Sequence, residues 1–351
     1  MGKLRRILVV RPDRIGDVLL STPVFHTLRD SFPGSFIGAL VSPVTAPLLE
    51  NNPNIDVILT DGTDEKNKEK SFWRKVKQIR SYRFDTALLL KPTERHAYML
   101  FFAGIRHRIG VGHILYEVLT FMRGVSRKGY DPLRHESDYM LDLARKIGAK
   151  RIWSTPEIFL TKSEMIKARD LLSGLGFDLH QPIVNIHPGS GHSAPNWRTR
   201  RYVDLARQVA NHGIQVLVTG NSSESIFESE FRDIPNTRTS FGQWNLRDLS
   251  AVISVASAFV SASTGPMHIA AAVGTPVVTM FCPLPACSPK LWGPIGSRTE
   301  IVLPPVGFCR AHCPGNPHVC TFGDGDDGIQ VDMVFSALLR VLNEKEKANV
   351  N

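Results

Sequence analysis

The sequence lacks an apolar run long enough to cross a lipid bilayer. Its longest apolar stretches, Ala97 to Ile105 and Ala251 to Ala262, are short or interrupted, whereas a spanning helix needs about 20 apolar residues. The first residues carry charges followed by only four apolar positions, which is not the pattern of a secretory signal peptide. These absences predict a cytoplasmic protein.

Cysteine is scarce as well, with 5 in 351 residues. A small, odd number without an export signal predicts free thiols instead of a disulfide framework. Three of them, Cys309, Cys313 and Cys320, lie close in sequence to His312 and His318. Zinc binding is one interpretation, although the spacing fits no standard zinc motif. Structural packing or a stapled loop is the other, and the preferred one.

Acidic residues are outnumbered. The chain has 42 Lys and Arg against 33 Asp and Glu, a formal net charge of +9. Twelve basic residues and only three acidic ones fall between Lys66 and Gly110. On charge alone, such a basic N-terminal half suits nucleic acid, an anionic membrane surface or a phosphorylated substrate about equally.

Alternating strand and helix patterns fill most of the chain. Short apolar strands alternate with amphipathic helices from Arg6 to about Leu175, and the alternation restarts after Gln181. This pattern predicts a doubly wound α/β fold with two Rossmann-like domains. The expected bounds are residues 1–176 for the first domain, 177–328 for the second, and 329–351 for a C-terminal helix and tail.

The string RPDRIGDVLLSTP follows the first strand. Apolar positions at helical spacing predict a helix from Asp17 to Arg29, so Asp17 falls at the start of that helix. One interpretation of Asp17 is a helix N-cap. The other is a carboxylate at the carboxyl edge of a parallel sheet, where α/β folds bind their ligands.

The stretch FVSASTGPMHIAAAVGTPVVTMF, Phe259 to Phe281, predicts strand, turn, helix and strand. Ser263 or Thr264 is a candidate N-cap, a proline follows in the first turn, and Gly274 suits the left-handed position after the helix. A helix N-terminus at the carboxyl edge of a strand offers unpaired backbone N–H groups to an anion, most often phosphate. His268 is a further candidate donor. A capped helix in an ordinary βαβ unit is the alternative.

The string GSGHSA, Gly189 to Ala194, matches the dinucleotide signature G-x-G-x-x-A. That signature needs an acidic residue at the end of the next strand, where this chain has Gly and Asn. We therefore expect no NAD and interpret the loop as a second phosphate or nucleotide contact. The candidate residues are Ser190, Gly191, His192, Gly220, Asn221 and, as a ribose partner, Glu224.

The pair Asp324-x-Asp326 resembles the metal-binding pair of metal-dependent sugar transferases. It lies among glycines and aspartates with no strand pattern before it, so a flexible acidic loop is the preferred interpretation. Neither a Ser-His-Asp arrangement nor a Walker motif is present.

Three blocks go beyond a fold pattern: RPDRIGDVLLSTP, NIHPGSGHSAPNW and STGPMHIAAAVGTPVV. In this order and at these separations they resemble the lipopolysaccharide heptosyltransferase family, glycosyltransferase family 9, over nearly the whole chain. The resemblance implies a two-domain GT-B fold. It implies an acceptor bound by the N-terminal half and an ADP-sugar, typically ADP-L-glycero-D-manno-heptose, bound by the C-terminal half. It also implies an inverting reaction without a metal ion or other cofactor.

The resemblance assigns roles residue by residue. Asp17 matches the general base proposed for the family, and Glu224 fits its ribose contact. The family's contacts to donor phosphates and its diphosphate loop fall on Ser190, Gly191, Thr264, Gly265 and His268. The family often has Lys at the position of Pro195 and Asp at the position of Ser263. The cation lost at Pro195 would be replaced by His192, Arg198 or Arg200.

On the acceptor side, the resemblance implies that the basic N-terminal face holds an anionic glycolipid, the lipopolysaccharide core, near the inner membrane. No nucleic-acid partner is expected. The candidate acceptor-binding residues are Arg11, Arg14, Gly16, Lys91, Arg95 and Arg108. Two alternatives stay open: a non-catalytic sugar-nucleotide or glycan-binding relative, and a family member that uses another nucleotide sugar on a different envelope glycan.

Overall fold

The structure is a computed structural model that describes residues 5–62, 68–111, 114–126, 133–191, 194–296, 298–323, 325 and 327–350, with 68–70 and 344–350 described by backbone alone. The chain divides into two compact units, Met1–Phe159 and Leu160–Asn351. Each unit contains one six-stranded parallel sheet with helices packed on it. The predicted α/β class, with two doubly wound halves, is confirmed.

The N-terminal unit has the strand order β3-β2-β1-β4-β5-β6. Its strands are β1 (Arg6–Arg11), β2 (Phe36–Val41), β3 (Val57–Thr60), β4 (Thr86–Leu89), β5 (His107–Gly110) and β6 (Arg123–Gly124). Its helices are α1 (Ile15–Leu20), α2 (Thr22–Ser31), α3 (Lys68–Ser81), α4 (Glu94–Phe102), α5 (Leu115–Leu119) and α6 (Glu136–Lys146). The central strands are apolar on both faces because helices cover both: Ile7 and Val9 enter one core, Leu8 and Val10 the other.

The C-terminal unit has the strand order β12-β11-β10-β7-β8-β9. Its strands are β7 (Ile183–His187), β8 (Gln215–Gly220), β9 (Thr237–Phe241), β10 (Ala258–Ala262), β11 (Val277–Met280) and β12 (Thr299–Val302). Its helices are α7 (Lys162–Gly174), α8 (Thr199–Asn211), α9 (Glu228–Phe231), α10 (Leu246–Val255), α11 (Gly265–Ala272), α12 (Pro289–Trp292), α13 (Phe308–His312) and α14 (Val331–Val350). Val184 and Ile186 of β7 pack with Leu338 of α14, whereas Ile183 packs with Leu172 of α7.

The division between the units falls earlier than the expected boundary at residues 176 and 177. Helix α7 belongs to the C-terminal unit because it packs against α10, where Glu164 pairs with Arg247 at 2.7 Å. The C-terminal helix is not a separate segment either. Phe335, Leu338 and Val341 of α14 lie in the core of the C-terminal unit.

The helix predicted from Asp17 to Arg29 is two helices, α1 and α2, which part at Ser21. Pro23 lies in the first turn of α2 and has no N–H group to continue the bonding of a preceding helix. Among the helices that the structure describes, none combines the length and the apolar composition that a bilayer-spanning helix needs.

Both sheets reverse their winding direction between two central neighbours, β1 and β4 in one unit and β7 and β10 in the other. In open α/β sheets, ligands bind beyond the carboxyl ends of the strands at such a switch point. The segments that follow β1, β4, β7 and β10 are therefore the places to look for a site.

Candidate active site

A cluster of charged side chains lies where β1 and β4 end. Arg11 is buried, and its Nη2 bonds to Asp17 Oδ1 and lies 3.7 Å from Glu136 Oε1. Its Nε lies 3.6 Å from Asp13 Oδ2, and Lys91 Nζ contacts Asp13 Oδ1 at 2.8 Å. With all five ionised, these three carboxylates and two cations carry one net negative charge.

Asp17 is not the N-cap of α1, so that interpretation is wrong: the N-cap position is Arg14, and Asp17 lies in the first turn. In the described part of the chain, Arg11 is the only side chain that bonds to the Asp17 carboxylate, through Oδ1. Burial raises the pKa of Asp17 and the nearby Asp13 charge adds to this, while Arg11 opposes it. A raised pKa suits a carboxylate that must accept a proton near neutral pH.

Arg95 lies at the same edge, in the first turn of α4, and is held by a buried carboxylate. Its Nε and Nη2 donate to Asp61 at 2.8 and 3.2 Å, and His96 Nε2 lies 3.2 Å from Asp61 Oδ2. Burial alone would raise the pKa of Asp61, but the His96 and Arg95 contacts outweigh it and hold the pKa well below its usual range. No motif in the sequence marks Asp61 or His96, so neither was predicted as a site residue.

The other predicted acceptor residues lie in two different environments. Arg14 is exposed and Gly16 partly buried, both at the carboxyl edge of β1. Arg108 lies within β5, where it is buried, donates to the carbonyls of Ile105 and Thr120, and covers the Phe101 ring at 5.3 Å. These contacts account for Arg108 as a residue that stabilises the fold.

The turn after β10 forms as predicted around Thr264. Thr264 is the N-cap of α11 in an extended conformation, and Gly274 after the helix has the left-handed φ of 83°. The Thr264 side chain is buried, and its Oγ1 has no hydrogen-bond partner among the described residues. Leaving a buried hydroxyl unpaired costs about 1–3 kcal/mol. Ser263 and Gly265 flank this unpaired hydroxyl at the helix N-terminus, and His268 is buried in the first turn.

Glu224 lies against the glycine-rich loop. A Cβ atom added to Gly189 would come within 1.9 Å of Glu224 Oε1, so only glycine leaves room for this carboxylate. Glu224 Oε2 accepts from the backbone N–H of Asn221 at 2.8 Å in a capping box, and burial raises the pKa of Glu224. Gly220, Asn221 and Glu224 are thus brought to the loop after β7. Strand β8 ends without an acidic residue, and Glu224 lies in the helical turn that follows it.

A buried polar chain, which the sequence analysis did not identify, lies beside Glu224. His187 Nδ1 is 3.1 Å from Thr219 Oγ1, which donates to Asn185 Oδ1 at 2.9 Å. His187 Nε2 lies 4.0 Å from Glu224 Oε2. Burial lowers the pKa of His187 to about 4, so its ring is neutral at pH 7. The sequence signal that could have identified this chain is the presence of polar residues inside the apolar strings IVNIH and QVLVTG.

The loop after β7 is tied to β10 by Asn196. Its Nδ2 donates to the Pro188 carbonyl at 2.7 Å, and its Oδ1 accepts from the Tyr202 hydroxyl at 2.7 Å. The Tyr202 oxygen accepts in turn from the Ala262 N–H at 3.2 Å. This fixes the loop relative to the strand that leads into Thr264.

Within that loop, Ser190 is partly buried and Gly191 is exposed with a φ of 54°. His192 lies outside the described residues. Arg198 is exposed at the N-cap position of α8 and Arg200 is exposed in its first turn. Both arginines thus lie at the carboxyl edge of the sheet, beyond the loop.

The five cysteines are all free. The described residues contain no group of three or more His, Cys, Asp or Glu side chains that could hold a metal ion. The described residues therefore give no support to the zinc interpretation of Cys309, Cys313 and Cys320. Burial raises the pKa of the Cys309 thiol. Asp324 and Asp326 lie outside the described residues.

Comparison with known proteins gives matches along nearly the whole chain. The family model of glycosyltransferase family 9 (heptosyltransferase) matches residues 72–310. Lipopolysaccharide heptosyltransferase 2 of Escherichia coli is 24% identical, with 97% of each chain covered. The crystal structure of a family 9 glycosyl transferase from Veillonella parvula superposes with a TM-score of 0.83 at 21% identity, covering 97% of each chain. Escherichia coli heptosyltransferase WaaC with ADP has a TM-score of 0.71 at 15% identity, covering 96% of this chain and 99% of that one. The structural likenesses show the fold, which is GT-B as expected.

Proposed function

Because this chain belongs to glycosyltransferase family 9, the heptosyltransferases, we propose that it transfers a heptose from an ADP-sugar to a lipopolysaccharide core or a similar anionic envelope glycan. The transfer inverts the anomeric carbon and uses no metal ion. One observation carries the proposal: the two switch points have complementary chemistry. One has a carboxylate with a raised pKa, Asp17, and the other has a helix N-terminus with an unpaired buried hydroxyl, Thr264.

The C-terminal unit binds the donor. The first N–H groups of α11 and the Thr264 hydroxyl donate to the diphosphate, where the helix dipole also favours negative charge. Glu224 accepts hydrogen bonds from the ribose hydroxyls, and Ser190 and Gly191 contact the phosphates from the loop after β7. The relative solved with ADP supports an adenine nucleotide as the donor.

The N-terminal unit activates the acceptor. The acceptor hydroxyl gives its proton to Asp17, and its oxygen forms the new bond to the anomeric carbon on the face opposite to the diphosphate. The bond from that carbon to the phosphate oxygen breaks, and ADP leaves with the electron pair. General-base help of this kind contributes about 10² to 10⁴ in rate. The α11 amides stabilise the charge that develops on ADP, and Arg14, Lys91 and Arg95 hold anionic groups of the acceptor.

Thr264→Val should weaken ADP binding by about 5- to 150-fold, because valine keeps the shape of threonine and removes one hydrogen bond worth ~1–3 kcal/mol. The same change should raise the unfolding free energy of the protein without ADP, since it removes an unpaired buried hydroxyl. Calorimetric titration with ADP and urea unfolding measure the two effects.

Thr275→Val is the matched control for this variant. The Thr275 hydroxyl is also buried but donates to the Ile253 carbonyl at 2.8 Å. Its loss should lower stability and leave ADP affinity unchanged. Equal ADP affinity for Thr264→Val and the wild-type protein would show that the Thr264 hydroxyl does not contact the diphosphate.

The transfer rate should fall at low pH, with a midpoint above 3.8, the ordinary pKa of aspartate. A protonated Asp17 cannot accept the acceptor's proton, and burial moves its protonation to higher pH. The rate profile at saturating donor measures this midpoint. ADP affinity, measured at the same pH values, separates Asp17 from Glu224, whose pKa is also raised. A rate that follows ADP affinity at every pH would contradict the assignment to Asp17.

A further inference from the structure

An exposed apolar surface on the N-terminal unit has no role in the chemistry described above. Six large side chains, between 43% and 74% exposed, form this apolar patch: Trp73, Phe102, Leu115, Val118, Leu119 and Phe121. They come from α3, α4, α5 and the turn after α5. Large contiguous exposed apolar surface on a protein marks an interaction site.

The apolar patch is continuous. The Trp73 and Phe102 rings have centroids 5.1 Å apart, and Phe101 joins the two ends, 5.5 Å from Phe102 and 6.3 Å from Phe121. Helices α3 and α4 pack together, and so do α4 and α5. The six side chains therefore belong to one surface.

Helix α5 has the reverse of the usual polarity of a surface helix. Its acidic residue, Glu117, is buried and accepts from the backbone N–H of Val111 at 3.3 Å, whereas Leu115, Val118 and Leu119 face solvent. An exposed apolar helix face of this kind is a surface that a partner can cover.

Exposed basic residues lie near the apolar patch. Between Ser71 and Ser126 the chain has ten Lys and Arg residues and three acidic ones. Arg108 and Glu117 are both buried, and Lys91 and Arg95 are paired with Asp13 and Asp61. Lys77 and Arg80 lie four and seven residues after Trp73, so they share its exposed helical face. Arg106 and Arg123, which are also exposed, flank α5 in the sequence.

We infer that the apolar patch docks on the surface of an anionic phospholipid bilayer. Aromatic and leucine side chains enter the headgroup boundary, while nearby Lys and Arg side chains bind lipid phosphates. A second copy of this chain fits less well, because it would bring two basic surfaces together. Nucleic acid would match the charge but not the exposed Leu and Val side chains.

The inference rests on the proposed function in one respect: an acceptor anchored in lipid lies at the bilayer surface, so the enzyme must reach that surface to act on it. Helix α4 carries Arg95 of the acceptor site in its first turn and Phe102 of the apolar patch at its end. Seven residues separate them, which is roughly 10 Å along a helix. A glycan that emerges from a bilayer on the patch would therefore begin close to the acceptor residues.

Vesicle flotation with the full-length protein tests the inference. Vesicles of phosphatidylglycerol and phosphatidylethanolamine in equal amounts should bind the wild-type protein, and vesicles of phosphatidylcholine should not. Phe102→Ser with Phe121→Ser should lower the partition coefficient about tenfold or more, as should Lys77→Glu with Arg80→Glu. Two control pairs in the C-terminal unit should have little effect: Ile166→Ser with Ile226→Ser, whose side chains are also exposed, and Arg207→Glu with Arg232→Glu.

Two further measurements make the outcome decisive. Brominated lipids should quench tryptophan emission in the wild-type protein and much less in Trp73→Phe. This measurement does not depend on whether the serine variants fold. Absence of binding to the anionic vesicles, or equal binding by the patch variants, would overturn the inference. So would a wild-type dimer that the Phe102→Ser and Phe121→Ser changes convert to a monomer. If the proposed function is wrong but the inference is right, the wild-type protein will bind the anionic vesicles and will not bind ADP.

Discussion

Asp17→Asn should lower the rate of heptose transfer by about 10²- to 10⁴-fold while ADP affinity stays close to that of the wild-type protein. Asparagine has the same shape as aspartate and can still contact Arg11, but its amide cannot accept the proton of the acceptor hydroxyl. Arg11 also keeps Asp13 and Glu136 within 3.7 Å, so the loss of one carboxylate leaves it paired. The rate under saturating donor and the ADP dissociation constant are the two quantities to measure.

Asp30→Asn is the control for this change, since Asp30 is a half-exposed carboxylate at the far end of α2. It should transfer sugar at the wild-type rate. If Asp17→Asn lost its ADP affinity or its cooperative unfolding transition along with activity, Asp17 would be a structural residue and the base would be elsewhere.

Gly265→Trp should abolish detectable ADP binding, a loss of about 100-fold or more, because an indole at the first position of α11 occupies the space in front of the N-terminal amides. Donor-dependent protection against thermal unfolding should disappear with it, since a ligand raises apparent stability only when it binds the folded state. A thermal-shift screen with ADP-, UDP- and GDP-sugars measures this and also tests whether another nucleotide sugar is the donor.

Gly174→Trp is a matched control in the same unit. Gly174 is exposed, and no heavy atom lies within 4 Å of the position of its missing Cβ. The variant should bind ADP normally. Retained ADP affinity in Gly265→Trp would place the nucleotide away from α11.

The fold class was predictable because parallel strands buried on both faces are nearly continuous apolar runs, as in Arg6–Arg11 and Ala258–Ala262. The boundary between the units was not. Helix α7 has a capping box at Thr161 and Glu164 that starts it cleanly, but its assignment to the C-terminal unit depends on its packing against α10. That contact joins residues about 80 positions apart, such as Glu164 and Arg247, and no local pattern reveals it.

The two candidate clusters, one in each unit, differ in the same way. An N-cap at Ser263 or Thr264 and Gly274 as the left-handed stop follow from local helix chemistry; the structure has Thr264 as the N-cap and confirms Gly274. The pairing of charges does not follow from local sequence. Arg11 meets Glu136 and Arg95 meets Asp61 only because the sheet brings strand ends together. Arg108 looked like a site residue on charge and position after an apolar segment, yet the fold buries it among backbone carbonyls.

The most direct test is a turnover assay with ADP-heptose and deacylated lipopolysaccharide core. The account predicts ADP release that depends on the acceptor, together with a product heavier than the acceptor by one heptose. Binding of ADP-heptose with no acceptor-dependent ADP release and no heavier product would contradict it, and would leave a protein that holds the sugar nucleotide without transferring the sugar.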